Sequence, residues 1–203
     1  EILLHSAAVQ AHAETYAGLV EVGVGLVPGW GGCKELITRH VLNKKRANGP
    51  MPPLSAAFET IGLAKVAKSA AEARDMMILR ESDGITMNRD RLLADAKAKA
   101  LALAKDYQPP KPQPINLPGP TGAAALGLAL HDLHLQGKAT DYDMIVAGRL
   151  ARVLSGGDTD ITEEIIEDKL LGLEREAFQS LIREPRTLAR IEHMLDTGKP
   201  LRN

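Results

Sequence analysis

Two glutamates and a glycine-dense segment are the residues of this sequence best suited to chemistry. Glu1 and Glu21 stand twenty positions apart, and residues 18–32 hold six glycines together with Pro28. Glycine at this density indicates a backbone that turns tightly or lies close to another group. A glutamate taken alone at the end of a short strand is more often a solvated surface group. Glu21 becomes a candidate catalytic carboxylate because of the residues around it.

The segment around Glu21 resembles the crotonase family. In that family a short strand leads to a glutamate, a turn of small residues and a proline-glycine-x-glycine-glycine step into a helix. The sequence matches this pattern residue by residue at Glu21, Gly25, Pro28, Gly29, Gly31 and Gly32. Val20 departs from it, because the family usually has proline there. Glu1 also matches, since enoyl-CoA hydratases are similar in carrying a second glutamate twenty positions earlier, at the start of a buried helix.

The resemblance implies a site that adds water to a trans-2-enoyl-CoA. One carboxylate must activate the water and one carboxyl must protonate C2. Two glutamates close together in a dry pocket supply both forms, because like charges repel and one group keeps its proton. By resemblance, Glu1 is the base, Glu21 is the acid, and the N–H of Gly29 is aimed at the same water. The family's oxyanion-binding triplet would precede Glu1, so we expect this chain alone to be inactive.

The end of the sequence resembles long bacterial 3-hydroxyacyl-CoA dehydrogenases that bear a hydratase-like unit at the C-terminus. The resemblance rests on residues 173–178, 190–195 and 197–203. It implies a parent enzyme of fatty-acid β-oxidation with an NAD-binding dehydrogenase portion upstream, acting on acyl-CoA substrates. We expect no cofactor within this chain itself. The first residues read as the inside of a helix and no methionine starts the chain, so we expect a truncated piece of that parent.

Two other functions remain open on the same residues. The chain could be a non-catalytic packing or oligomerisation module of an NAD-dependent 3-hydroxyacyl-CoA dehydrogenase, with its glutamate pair vestigial. An enoyl-CoA isomerase would shuttle a proton with one carboxylate, and the presence of two glutamates argues mildly against it. A crotonase core without its first half exposes apolar edges, so we also expect homo-oligomers or other association.

Composition and spacing argue against several further classes of function. The chain has 25 basic and 26 acidic residues, so no basic surplus favours nucleic acid. A single cysteine, Cys33, fits a reducing, cytoplasmic setting, and no apolar run is long enough to span a membrane. Gly23 and Gly25 do not continue into a dinucleotide fingerprint. His131 and His134 lack further ligands, so we expect no metal site, and residues 44–46 read as a solvated basic loop.

Apolar patterning predicts a mainly helical chain with two short N-terminal strands. A helical turn is predicted at residues 1–6, strands at 8–11 and 14–17, an extended link at 84–86, and helices at 33–42, after Pro53, from Ser69, and at 89–105, 123–136, 141–154, 160–183 and 185–195. The resemblance implies the C-terminal part of an α/β crotonase-type (ββα spiral) fold plus a helical C-terminal subdomain. Six prolines between 108 and 120 indicate a linker, which gives domains at 1–107 and 121–203.

Overall fold

The computed structural model describes residues 1–45 and 47–203 and is mainly helical, as expected. The helices among these residues are α1 (Ile2–His5), α2 (Gly32–Leu42), α3 (Met51–Gly62), α4 (Ala70–Asp75), α5 (Leu92–Ala104), α6 (Gly119–Leu135), α7 (Asp141–Leu154), α8 (Glu167–Leu181) and α9 (Pro185–Thr197). The strands are β1 (Gln10–His12), β2 (Ala17–Gly18), β3 (Val66–Ala67), β4 (Gly84–Thr86), β5 (Ile115–Asn116) and β6 (Glu164–Ile165). Two 3₁₀ turns cover Glu21–Val24 and Arg89–Arg91.

The chain divides into two compact units that are each discontinuous in sequence. The first unit comprises Glu1–Gly18 and Val66–Pro112, and the second comprises Leu19–Lys65 and Gln113–Asn203. Residues 19–65 fall in the second unit because α2 and α3 pack on α7 and α8. These units differ from the domains 1–107 and 121–203 and the linker 108–120 that the sequence predicts. Those domain limits concern a parent protein and stay a prediction.

The first unit is built on two small strand pairs. Strand β1 runs parallel to β4, with Gln10 opposite Gly84, and β2 runs antiparallel to β3. The expectation that strands end after residue 17 is wrong, because the extended link at 84–86 is itself a strand. Helix α4 begins as predicted, since the Ser69 hydroxyl accepts a hydrogen bond from the N–H of Glu72 at 3.1 Å.

Helix α5 forms where its pattern predicts, but its apolar face is exposed within this chain. None of its residues is buried, and Leu93 is 80% exposed. Large apolar side chains in the open usually mark a surface that another segment or partner covers. The predicted association of this chain therefore has a candidate surface and stays a prediction.

The second unit is a helical assembly with one apolar core. Side chains with less than 2% exposure come from α2, α3, α7 and α8 and include Leu36, Ile37, Leu54, Ile61, Leu150, Leu154, Leu170 and Leu181. Helix α7 has the predicted limits, and a capping box joins Thr140 and Asp143 at its start. No helix among the residues described is long and apolar enough to cross a membrane.

The second half of the proline-rich stretch packs on the second unit. It contains β5, which pairs antiparallel with β6, and the side chains of Ile115 and of Leu117 after the strand are buried. The single helix predicted for residues 160–183 is therefore wrong at its beginning, where the chain forms β6 before α8. Paired backbone groups and buried apolar side chains anchor this part of the stretch to the second unit.

Ala64 follows the end of α3 in a left-handed conformation, with φ of +47°. The N–H of Lys65 donates to the carbonyl of Thr60 at 3.0 Å, which holds Ala64 in this conformation. We expect Ala64→Gly to raise the free energy of unfolding by about 0.5–1 kcal/mol, because glycine has no Cβ to strain there. Urea denaturation with an unchanged m value measures this difference. Ala56→Gly inside α3 is the control and should be destabilising.

Candidate active site

Glu21 opens the 3₁₀ turn Glu21–Val24 in the second unit. The carbonyl of Glu21 accepts a hydrogen bond from the N–H of Leu26 at 3.1 Å, and the N–H of Gly25 donates to the carbonyl of Val22 at 3.0 Å. The side chain is only partly exposed, and its Oε2 atom is buried. The turn therefore fixes the backbone of the candidate acid and withdraws one of its oxygens from solvent.

The turn closes at Gly25, which adopts a left-handed conformation with φ of +80°. The hydroxyl of Thr187 in α9 donates to the carbonyl of Gly25 at 2.9 Å. A Cβ on residue 25 would lie 2.9 Å from this same hydroxyl oxygen and 3.0 Å from the ring of Tyr142. Both the conformation and the close approach of α7 and α9 thus require glycine at this position.

A buried cation joins α7, α9 and the C-terminus around this contact. Arg190 is 3% exposed and pairs with Asp143 at 2.8 Å, while its Nε donates to the side-chain oxygen of Asn203 at 2.8 Å. Burial raises the pKa of Asp143, but the hydrogen bond from the Thr140 N–H and the interaction with Arg190 outweigh burial and hold the pKa below its usual 3.8. These contacts therefore tie α7, α9 and Asn203 to one another.

Gly29 lies against an aromatic ring of α8. A Cβ placed on Gly29 would stand 2.7 Å from Cδ2 and 3.0 Å from Cγ of Phe178. By resemblance the N–H of Gly29 is aimed at water, and the close contact with Phe178 is a packing reason for glycine at the same position. Gly31, with φ of +86°, then provides the N-cap of α2.

The start of α2 is held by a carboxylate from α8. The N–H of Cys33 donates to Oε1 of Glu174 at 2.8 Å, and Glu174 is 0% exposed. A carboxylate at this end is favoured because the first N–H groups of a helix carry partial positive charge. The proline-glycine step is therefore fixed at Gly25 by α9, at Gly29 by α8 and at Cys33 by α8.

Lys34 is a second charged group almost wholly buried near this helix start. Its Nζ contacts Glu35 at 2.7 Å and also pairs with Glu167. Burial lowers the pKa of Lys34, but the hydrogen bonds to Glu167 and Glu35 outweigh burial and keep the pKa above its usual 10.5. The ammonium group thus stays charged and ties the first turn of α8 to α2.

Glu1 lies in the first unit, at the N-cap of α1. Its carbonyl accepts from the N–H of His5 at 3.2 Å, and the guanidinium of Arg80 donates to the carbonyls of Leu4 and Ser6 beyond it. The predicted helical turn is confirmed, but the expectation that it is buried holds only at Leu4, which is 2% exposed, since Ile2 is 90% exposed. Glu21 and Gly29 lie in the second unit, so the convergence of the two glutamates on one water stays a prediction.

Known proteins share this fold. A crystal structure of carnitinyl-CoA hydratase from Mycobacterium avium matches with a TM-score of 0.52 and 18% identity, covering 98% of this chain and 56% of that one. The fold is of the crotonase type. The sequence expectation of a crotonase-type fold is therefore confirmed.

Sequence relatives of this crotonase-type chain have names from fatty-acid oxidation. A probable 3-hydroxyacyl-CoA dehydrogenase of Bacillus subtilis is 47% identical over the whole chain, and a putative fatty acid oxidation complex trifunctional enzyme of Rickettsia felis is 30% identical over 95% of it. The chain spans 26% and 23% of the lengths of these two relatives. No protein-family model matches the chain.

The sequence did not predict that Glu174, Phe178 and Thr187 contact the glycine-rich segment that follows Glu21. Glu174 does leave a signal, because it lies on the buried stripe of α8 with Leu170, Ala177 and Leu181. A carboxylate on such a stripe requires a polar partner, which here is the N–H of Cys33. Thr187 leaves no comparable signal, because threonine is common at both buried and exposed positions of helices.

Gly29→Ala should lower the free energy of unfolding of the crotonase-type chain by about 1–3 kcal/mol, because the added methyl overpacks the ring of Phe178. Urea denaturation measures this cost. Gly23→Ala is the matched control, since a Cβ there meets nothing within 4 Å. In a Phe178→Leu background the cost of Gly29→Ala should shrink. An equal cost in both backgrounds would show that the ring is not the obstacle.

The structure describes the surroundings of the other residues that the sequence singles out. His134 lies in α6, and its Nδ1 is 2.9 Å from the carbonyl of Ala139 in the loop that follows. No three His, Cys, Asp or Glu side chains are grouped to hold a metal ion in the part of the crotonase-type chain that the structure covers. Cys33 is buried, Lys44 and Lys45 are exposed, and Arg46 lies outside the described residues.

Proposed function

We propose that this chain contributes the Glu1, Glu21 and Gly29 part of a site that hydrates a trans-2-enoyl-CoA. The observation that supports the proposal most is the environment of Glu21. Its turn leads directly into the glycine step and α2, its backbone is fixed by buried contacts, and its Oε2 atom is buried. Catalysis of proton transfer requires a group held in position before the substrate arrives, and this turn meets that requirement.

In the proposed reaction the carboxylate of Glu1 takes a proton from water as the hydroxyl adds to C3. The carboxyl of Glu21 gives its proton to C2 as the double bond is lost. The carbon–sulfur bond stays intact and the product is a 3-hydroxyacyl-CoA. The Gly29 N–H holds the attacking water, and glycine allows this approach because no side chain lies in the way.

The proposal extends to a larger polypeptide. A 3-hydroxyacyl-CoA is the compound that an NAD-dependent 3-hydroxyacyl-CoA dehydrogenase oxidises, and the Bacillus subtilis relative carries that enzyme's name. We therefore place an NAD-binding dehydrogenase portion upstream of this chain, in a cytoplasmic protein that forms homo-oligomers. The chain spans 26% of that relative's length, and we propose that the larger polypeptide supplies the rest of the hydratase site, so this chain by itself should be inactive.

A scaffolding role is the second candidate. It is favoured by the buried contacts of α7, α8 and α9, which would persist even if the glutamate pair had no chemical task. In that case the chain would support the dehydrogenase portion by packing alone.

Two variants of the full-length polypeptide, Glu1→Gln and Glu21→Gln, distinguish the candidates. Hydration of crotonyl-CoA and isomerisation of a trans-3-enoyl-CoA are measured for each. A hydratase loses hydration with either change. An isomerase loses isomerisation with only one of them, and a scaffold keeps its activities with both. Unchanged hydration in Glu21→Gln would refute the proposed function.

A further inference from the structure

We infer that the hydroxyl of Thr187 is a positioning group that sets the orientation of the Glu21 turn for proton transfer. The inference rests on the proposed function, because it assigns Thr187 to the same site. It concerns a residue in α9, 166 positions after Glu21 in the sequence (187 − 21). The sequence motif around Glu21 gives no indication that Thr187 belongs to the site.

The hydrogen-bond directions in this cluster follow from the groups themselves. A carbonyl oxygen only accepts, so the proton of the Thr187 hydroxyl is given to Gly25. The Tyr142 hydroxyl also bonds to the Thr187 oxygen, and it must therefore be the donor. The result is a directed chain from Tyr142 through Thr187 to the Gly25 carbonyl.

The Gly25 carbonyl and the Leu26 N–H belong to one planar peptide unit. Thr187 holds the oxygen end of this unit at 2.9 Å, and the carbonyl of Glu21 accepts from its N–H end at 3.1 Å. Because the unit is rigid, a rotation that breaks one hydrogen bond also breaks the other. The Thr187 hydroxyl is thereby coupled to the backbone of Glu21 through a single peptide plane.

Glycine at position 25 makes this coupling necessary. A residue without Cβ allows many orientations of the peptide that follows it, so the φ of +80° alone does not fix the plane. Tyr142 and Thr187 are both 0% exposed, so water has no access to replace their bonds. A buried carbonyl that loses this donor is expected to rotate toward another partner.

The test uses hydration of crotonyl-CoA by the full-length polypeptide. Thr187→Val keeps the shape of the side chain and removes the hydroxyl, and it should lower kcat by about 10- to 100-fold with little change in KM. Thr187→Ser restores the hydroxyl and should recover most of the rate. The alkaline limb of the pH profile of kcat, where the acid loses its proton, should move in Thr187→Val, because the displaced acid meets a changed environment.

Asp143→Asn is the matched control. It weakens the pairing with Arg190 in the same cluster but removes no atom that contacts Gly25. Its thermal midpoint should fall, while its kcat and its pH profile stay unchanged below that midpoint. An equal loss of kcat in Asp143→Asn and Thr187→Val would reduce Thr187 to a purely structural role and overturn the inference.

Hydrogen exchange of the Leu26 amide gives a readout that does not depend on activity. Exchange should be faster in folded Thr187→Val than in the unaltered protein, and unchanged in Asp143→Asn. If Thr187→Val does not fold, Tyr142→Phe decides, because loss of the Tyr142 donor should also speed Leu26 exchange and lower kcat. No change in either quantity would overturn the inference.

Loss of hydration in Glu21→Gln but not in Thr187→Val rejects the positioning role alone, whereas normal hydration in Glu21→Gln rejects the proposed function.

Discussion

Glu21→Gln in the full-length polypeptide should hydrate crotonyl-CoA about 10²- to 10⁴-fold more slowly than the unaltered protein. The amide has nearly the volume of the carboxyl, but it cannot give a proton to C2. The backbone hydrogen bonds that shape the turn do not use the side chain, so the fold around it should persist. Initial rates of hydration at saturating substrate measure the effect, and KM should change little.

Two controls accompany this prediction. Glu14→Gln changes an exposed glutamate seven positions earlier and should leave hydration unaltered. The double variant Glu1→Gln, Glu21→Gln should be little slower than the slower single variant, because groups that act in one step are not additive. Multiplicative losses would mean that the two carboxylates act in separate steps, contrary to the proposed mechanism.

The sequence was sufficient for the motif and for most helices. Helix α7 has the predicted limits, α2 begins one residue earlier than predicted, and the family's step from Glu21 to Gly32 appears as a turn leading into α2. These features are local, because capping residues, glycine and apolar spacing act over a few neighbouring residues. Local patterns of this kind can be read without knowledge of the fold.

The short strands could not be predicted in the same way. Strands β4 and β6 have three and two residues, which is too short for an alternating pattern to appear. The partner of β4 is β1, more than seventy positions earlier, and such pairing is decided by the whole fold. The residues that clamp the site were hidden for the same reason, since their partners are 141 and 162 positions away.

The long distance in sequence between the motif and the residues that contact it changes the expected role of the C-terminal helices. The motif residues of the second unit lie between 21 and 32, yet the groups that fix them come from α7, α8 and α9. Phe178 leaves no room for a Cβ on Gly29, and Thr187 leaves no room for a Cβ on Gly25. The helical C-terminal subdomain expected from the sequence is thus part of the structure that holds the candidate acid.

Glu174→Ala should lower the free energy of unfolding by about 2–4 kcal/mol. The change leaves the buried N–H of Cys33 without its acceptor, which costs about 1–3 kcal/mol, and it removes buried side-chain atoms from between α8 and α2. Urea denaturation followed by circular dichroism measures the loss.

Glu174→Gln should cost less, since its amide oxygen can still accept from Cys33. Glu174→Leu fills the volume without an acceptor. The difference in free energy of unfolding between Glu174→Leu and Glu174→Gln therefore measures the contribution of the hydrogen bond. Glu176→Ala, at an exposed position on the same helix, should change stability by less than about 0.5 kcal/mol. If Glu174→Leu is as stable as the unaltered chain, the carboxylate does not hold the start of α2, and the step that carries Gly29 must be fixed by packing alone.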